Sequence, residues 1–230
     1  MRNRLISFLW SYINSVYYSG ENVICHLCGW KGVAFVNTRC PKCNSLPRQR
    51  LIPYCYELMK FKPKKILHIG PNKSEYFFIK HKLKPESYDR VDIANNPYSN
   101  LKHDITKTGL KTNYYDFIIL WHVLEHISND MEAIKNLESS LSHEGKMLVS
   151  VPIYPKGNKV TYEDDSIDID KYGEIYGHPD HFRSCGYDYV KRLNDAGFDN
   201  IVTVNGKEID KSMKDRFGLS NNHVAWICQK

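Results

Sequence analysis

From Lys65 to Val151 short apolar runs alternate with helical segments, and no other feature constrains the fold of this chain as tightly. Ile66–Ile69, Arg90–Ile93, a short stretch just before Asp104, Asp116–Trp121 and Lys146–Val151 read as strands. Ser74–Lys82 and Asp130–Leu141 read as helices, the second with apolar side chains at 131, 134 and 137. Strands alternating with helices at this spacing imply a mostly parallel, doubly wound sheet with helices on both faces. Beyond it, 153–182 is polar and rich in Gly, Asp and Tyr, so it reads as a loop or lid, taken here to extend over 153–185. A helix from Asp188 to Ala196, stopped by Gly197, and two β-like runs, Asn200–Val204 and Val224–Cys228, bring the sheet to seven strands.

The first sixty residues follow different rules. Leu5, Ile6, Leu9, Ile13, Val16 and Tyr17 recur at three- and four-residue intervals, the mark of an amphipathic helix. The stripe reads first as a helix docked on the protein's own core. Arg2, Arg4 and Trp10 favour the alternative, a helix over residues 5–18 lying on a membrane surface or a partner. The stretch is too short and too polar to span a bilayer, and no small-residue cleavage site follows it. Residues 47–60 read as a second helix, with Pro47 near its start and Pro53 inside it. The expected division is 1–60 for helix, ribbon and linking helix, and 61–230 for the α/β domain.

Between those helices lie Cys25-x2-Cys28 and Cys40-x2-Cys43, eleven residues apart. Each pair can form a knuckle, a tight turn that presents two thiolates to one ion, and two knuckles complete a closed tetrahedral shell. Zinc is the expected structural metal, with a rubredoxin-like iron site as the alternative. Cys55, Cys185 and Cys228 read as small buried apolar residues. Paired cysteines of this kind suit a reducing compartment, so a cytoplasmic location is expected. The 230 residues carry a net charge of +6, which permits an anionic substrate, a nucleic acid or a membrane surface and requires none of them.

In an open α/β sheet, ligands bind beyond the carboxyl ends of the strands. The first such end is His68-Ile69-Gly70-Pro71-Asn72, where Gly70 lets a ligand approach the backbone. It is neither a GxGxxG nor a GxxxxGK[ST] loop. Asp92, at the end of the second strand, is placed to bind a ribose diol, and Asp104 to receive an adenine amino group.

These stretches resemble a known family. Tyr-Asp-Phe-Ile-Ile-Leu-Trp-His-Val-Leu-Glu-His-Ile-Ser-Asn-Asp (115–130) and Leu-Ser-His-Glu-Gly-Lys-Met-Leu-Val-Ser-Val-Pro (141–152) are similar to the fourth- and fifth-strand motifs of class I S-adenosylmethionine-dependent methyltransferases. Leu67–Pro71, Asp104-Ile105-Thr106, Thr161–Asp164 and Gly177-His-Pro-Asp-His-Phe-Arg183 resemble a bacterial subgroup with an N-terminal zinc ribbon. The resemblance implies a Rossmann-like methyltransferase sheet. It places His68, Gly70 and Pro71 at the methionine end of S-adenosylmethionine and Asp92 and Ile93 at the ribose. Asp104 and Ile105 would flank the adenine, with Trp121 and His122 on the sulfonium side. The family's first motif carries an acid at the strand end and several glycines; here His68 replaces the acid and only Gly70 remains.

His122 and His126 lie four apart, but HVLEH is not HExxH, which argues against a zinc-protease type of site; His126 reads as a helix-start or core histidine. Methyl transfer to a hydroxyl needs alignment, exclusion of water and a proton acceptor. His178, Asp180, His181 and Arg183 crowd the lid. His181 is the first choice of base, with Asp180 or Glu163 to orient it and Arg183 to hold an anionic acceptor. The expected activity is O-methylation of a small or glycan-type acceptor, nucleotide- or lipid-linked, at a sugar hydroxyl or a phosphate or phosphoramidate oxygen. The subgroup resemblance points to surface-polysaccharide biosynthesis. The alternatives are an RNA methyltransferase gripping RNA through Arg39, Lys42, Arg48 and Arg50, and a non-catalytic binding module.

Overall fold

The computed structural model describes residues 2–230, with side chains of the first helix described from Trp10 onward. Helix α1 (Arg2–Tyr17) leads into a two-stranded ribbon, β1 (Ser19–Cys25) and β2 (Trp30–Gly32), and then helix α2 (Pro47–Met59). Next come β3 (Lys65–Ile69), α3 (Lys73–Phe78), β4 (Ser87–Asp92), β5 (Leu101–Lys102), β6 (Tyr115–Trp121), α4 (Asp130–Ser140) and β7 (Leu141–Ser150). The lid holds the short α5 (Tyr172–Tyr176), and α6 (Val190–Asp195), β8 (Asn200–Asn205), α7 (Lys211–Phe217) and β9 (Val224–Gln229) complete the chain.

The large sheet has seven strands in the order β5-β4-β3-β6-β7-β9-β8. Pairings among β5, β4, β3, β6 and β7 are parallel. β9 runs antiparallel to both β7 and β8. The central strands are buried on both faces, which is why their sequences are continuous apolar runs rather than alternating ones. One face packs Leu67, Leu120, Ile134, Leu137, Leu193 and Trp226. The other packs Ile66, Phe117, Ile119 and Leu148 in one cluster with Cys25, Trp30, Leu51 and Cys55. The ribbon and α2 therefore cap one face of the sheet. Asn129 starts α4 by accepting a hydrogen bond from Glu132 N at 3.3 Å.

Three features depart from expectation. From Trp10 on, α1 turns its polar side inward: Ser11 Oγ donates to the carbonyls of Pro41 and Lys42 at 2.9 and 2.7 Å, and Trp30 Nε1 donates to Ser15 O at 2.9 Å. Ile13 and Val16 are 58% and 57% exposed, so this part of the helix is not docked on the core by its apolar stripe. Leu5, Ile6 and Leu9 fall outside the described side chains. Second, α7 adds a helix between the last two strands, which Asp210 caps at its start and Gly218, at φ +61°, stops. Third, β7 begins at Leu141, five residues before the apolar run, with an irregular register against β6. Among the described residues no helix is long and apolar enough to cross a membrane.

His223 enters β9 close to His122, with ring centroids 6.4 Å apart. Burial, with His122, Arg48 and Arg50 nearby, pushes its pKa down to about 4. The unfolded chain takes up this proton below about pH 6.5 and the folded chain only near its own value, so stability falls as pH drops across that window. The expected loss is at most about 3 kcal/mol, and His223→Gln should flatten this part of the profile; urea unfolding from near neutrality to about pH 4 measures both.

Candidate functional site

Strand order reverses between β3 and β6, and the crevice at that switch point collects the loops after β3, β4 and β6. Gly70 turns the first loop at φ +61°, and a Cβ there would lie 2.9 Å from Val123 Cγ2. Only glycine lets the two loops pack this closely. Asn72 then caps α3, its Oδ1 accepting from Glu75 N at 3.2 Å.

His68 has no exposed surface, so the expected contact with a cofactor is corrected. Its ring lies between Tyr88 Oη (2.9 Å from Nδ1) and Glu75 Oε2 (3.2 Å from Nε2). Glu75 is buried and also accepts from Asn72 Nδ2. The carboxylate missing from the strand end thus arrives from the first turn of α3. Its sequence signal was a lone glutamate seven residues after His68. Pro71 is buried too, and its carbonyl accepts from Asn96 Nδ2 at 2.8 Å.

Asp92 closes β4. Its Oδ1 accepts from Ala94 N at 2.9 Å and its Oδ2 from Asn96 Nδ2 at 2.7 Å, which leaves lone pairs on both oxygens for a diol. Beside it Ile93 stands 65% exposed, a flat apolar surface next to a carboxylate. Asp104 binds the backbone N–H and hydroxyl of Thr106, which hold its pKa below the usual carboxylate range. Ile105 and Trp121 are corrected as contact side chains: both are buried in the core. His122 is forced to φ +57°, an uncommon conformation for a residue with a Cβ. Its Nε2 and the Trp121 Nε1 are buried without partners. A diol-ready carboxylate beside an exposed isoleucine, next to a glycine turn, fits a nucleoside ligand.

Arg183 was expected to hold an anionic acceptor, and the structure corrects this. It is 1% exposed, with Nε donating to Glu163 Oε2 at 2.7 Å. Nη1 donates to the carbonyls of Leu124 (2.8 Å) and Ile127 (2.7 Å), and Nη2 to Ser128 O (2.7 Å) while lying 3.6 Å from Asp130 Oδ1. Four of its five N–H groups are bound within the protein, and the side chain has almost no surface left for a substrate. Arg192 bridges Asp130 and Glu163 at 2.6 and 3.0 Å. The pairing holds Glu163 below the usual carboxylate range despite its partial desolvation. Neither Glu163 nor Asp180 orients His181. Its Nδ1 donates to Tyr176 O at 3.2 Å, while the Asp180 carboxylate is exposed and 3.8 Å from His178 Nδ1. His126, read as a helix-start or core residue, instead sits with its ring centroid 4.7 Å from that of His181.

In the ribbon, Cys25, Cys28, Cys40 and Cys43 converge. The sulfurs of Cys25 and Cys43, and of Cys28 and Cys40, are each 3.7 Å apart. A tetrahedron with metal–sulfur bonds of about 2.3 Å has edges of roughly 3.8 Å, so the four sulfurs fit one ion. Between ribbon and α3 lies a cavity of about 290 Å³ lined by Lys42, Lys73, His81 and Lys82 around Leu27 and Phe77.

Residues 45–202 match the family model described as a methyltransferase domain. No curated protein matches the chain in sequence. Its fold is similar to an S-adenosylmethionine-dependent methyltransferase of Archaeoglobus fulgidus (TM-score 0.55, 14% identity, 79% of this chain and 94% of that one). It is similar to one of Mesorhizobium loti (0.56, 13%, 77% and 96%). A third likeness is to phosphoethanolamine N-methyltransferase 2 of Haemonchus contortus, solved with phosphomonomethylethanolamine and S-adenosylhomocysteine (0.54, 11%, 78% and 52%). These likenesses describe the fold.

Replacing Arg183 by Met leaves Asp130, Glu163 and three buried carbonyls short of a donor. The expected cost is about 3–5 kcal/mol, read as a fall in the urea midpoint without a change in slope.

Proposed function

Since the chain belongs to the methyltransferase-domain family, we propose that it is an S-adenosylmethionine-dependent O-methyltransferase acting on a neutral hydroxyl of a saccharide-type acceptor. S-adenosylmethionine supplies an electrophilic methyl group; the protein has to hold the nucleoside, seat the acceptor and move a proton. Asp92 takes the ribose diol, Ile93 the adjoining base face, and Gly70 leaves room for the amino-acid end. Asp104 lies along the same rim.

The observation that carries the acceptor class is the charge of the lid. Between Thr161 and His181 there are seven carboxylates and one lysine. Arg183, the next cation, is consumed by Glu163 and the backbone. Such a surface repels a phosphate or phosphoramidate oxygen and suits hydroxyls, which donate to carboxylates. Tyr162 and Phe182 add exposed aromatic faces of the kind that pack on sugar rings. The hydroxyl is activated at the imidazoles of His126, His178 and His181. The three lysines beside the ribbon suit the phosphates of a nucleotide or lipid carrier, in keeping with a place in surface-polysaccharide assembly. RNA is the weaker reading, because Arg50 is buried, with its guanidinium on the carbonyls of Thr38, Ser45, Phe217 and Gly218.

Calorimetric titration with S-adenosylhomocysteine tests the core of this reading. Micromolar binding is expected, and Asp92→Ala should weaken it by about 1.4–2.8 kcal/mol, roughly 10- to 100-fold. No binding at millimolar ligand would sink it. The four cysteines are proposed to hold structural zinc. One ion per chain should be released only when the thiols are modified, and Cys43→Ser should lower the melting temperature.

A further inference from the structure

His126 lies on the turn after β6, and His178 and His181 lie on the lid. One ring nitrogen from each falls within 4.8 Å of the others. The centroids of His178 and His181 are 5.0 Å apart, and those of His126 and His178 are 5.9 Å apart. Sequence spacing could not show this, since more than fifty residues separate His126 from His178 and His181.

The protonation pattern of two of the rings is fixed by their backbone partners. A carbonyl can only accept, so His126 donates from Nδ1 to Asp180 O at 3.1 Å and His181 from Nδ1 to Tyr176 O at 3.2 Å. Each neutral ring then carries its lone pair on Nε2. Histidines that bind metals are held in this way, one nitrogen on the ion and the other N–H on a carbonyl. His178 is the half-exposed member; its Nδ1 accepts from Asp180 N at 3.2 Å, a bond it would exchange for the ion. One ring nitrogen from each histidine lies within reach of a shared ion, and no hydrogen bond joins the three rings to one another.

A second observation gives the charge of that partner. Glu125 is 1% exposed, and its Oε2 has no hydrogen bond. Its Oε1 lies 3.8 Å from His126 Nε2 and 3.4 Å from His122 Nδ1. A buried carboxylate with an unpartnered oxygen beside two imidazoles calls for a cation.

We infer that His126, His178 and His181, with Glu125 beside them, form a second metal site, distinct from the four cysteines, which takes a divalent ion of the zinc, cobalt or nickel class. Imidazole suits these ions, and three histidines leave an open coordination position, as in catalytic rather than structural sites. With two ligands on the lid and one on the turn after β6, the ion fastens the lid over the crevice. Its open position takes an oxygen ligand. If that ligand is the acceptor hydroxyl, a clause that rests on the proposed function, binding to the ion lowers the hydroxyl pKa and the proton passes to water. An imidazole holding a metal is no base, so His181 is a ligand in this arrangement.

The full chain, dialysed to equilibrium against micromolar free zinc, should hold about two ions per chain. His178→Ala and His181→Ala should each lower this to about one, the thiolate-bound ion, while His143→Ala, an exposed histidine outside the cluster, should leave it at about two. His178 is exposed, so its variant should fold, and retained S-adenosylhomocysteine binding confirms that it has. One ion in the wild-type chain, or a second ion that persists in both lid variants, would overturn the site. Loss of homocysteine-ligand binding with two ions still held would instead count against the methyltransferase reading.

Discussion

A guanidinium buried to 1% exposure needs acceptors, and Arg183 finds four within hydrogen-bond distance by reaching across the molecule. Its partners come from two places remote in sequence: Glu163 on the lid, and the carbonyls of Leu124, Ile127 and Ser128 after β6. Asp130, the first residue of α4, joins through Arg192 and through Tyr189 Oη at 2.5 Å. The network closes the turn that carries Glu125 and His126. The adjoining Phe182 N donates to Glu125 O at 2.9 Å, which brings His181 beside His126. The crevice, lid and imidazoles keep their relative positions because this one charge has to be satisfied. Buried ion pairs are a weak source of net stability; their value here is in specifying one arrangement of two loops.

The ribbon depends on a second buried guanidinium. Arg50 starts from α2 and donates to Ser45 O and Thr38 O within the ribbon, and to Phe217 O and Gly218 O at the end of α7. Its ring contact is the face of Phe35, 3.9 Å away. A shell of four thiolates around a divalent ion carries excess negative charge, and a buried cation alongside offsets it. Sharing a core with Phe117 and Leu148, the ribbon acts as a wall of the α/β fold.

The sheet was legible because parallel strands buried on both faces leave an unmistakable trace: short apolar runs such as Ile66–Ile69 and Phe117–Trp121, each ending at a polar or glycine residue. The convergence of the four cysteines was legible because all lie within nineteen residues of one another. What stayed hidden depends on long-range contact. Nothing near Arg183 in sequence announces three carbonyls from residues 124–128, so a buried strut read as an anion holder. Glu75 was passed over because its partner, His68, carries no sign of needing one. The exposed face of α1 escaped because periodicity reports that a helix has two faces and not which of them is covered.

The swap of an acid for His68 also bears on how much of the nucleoside pocket survives a thinned glycine loop. A histidine at a buried strand end needs partners for both nitrogens, and here Tyr88 and Glu75 supply them. Glu75 in turn ties to Asn72, whose other bonds cap α3 and set the loop from Gly70 onward. A polar chain of four side chains therefore does what tight glycine turns do elsewhere: it fixes the backbone that faces the ligand. The single remaining glycine sits where Val123 comes too close for a Cβ, the one point at which side-chain bonding offers no substitute. The loop after β3 is thus built around a buried carboxylate, and Asp92, which accepts one hydrogen bond on each oxygen, keeps lone pairs free beside it.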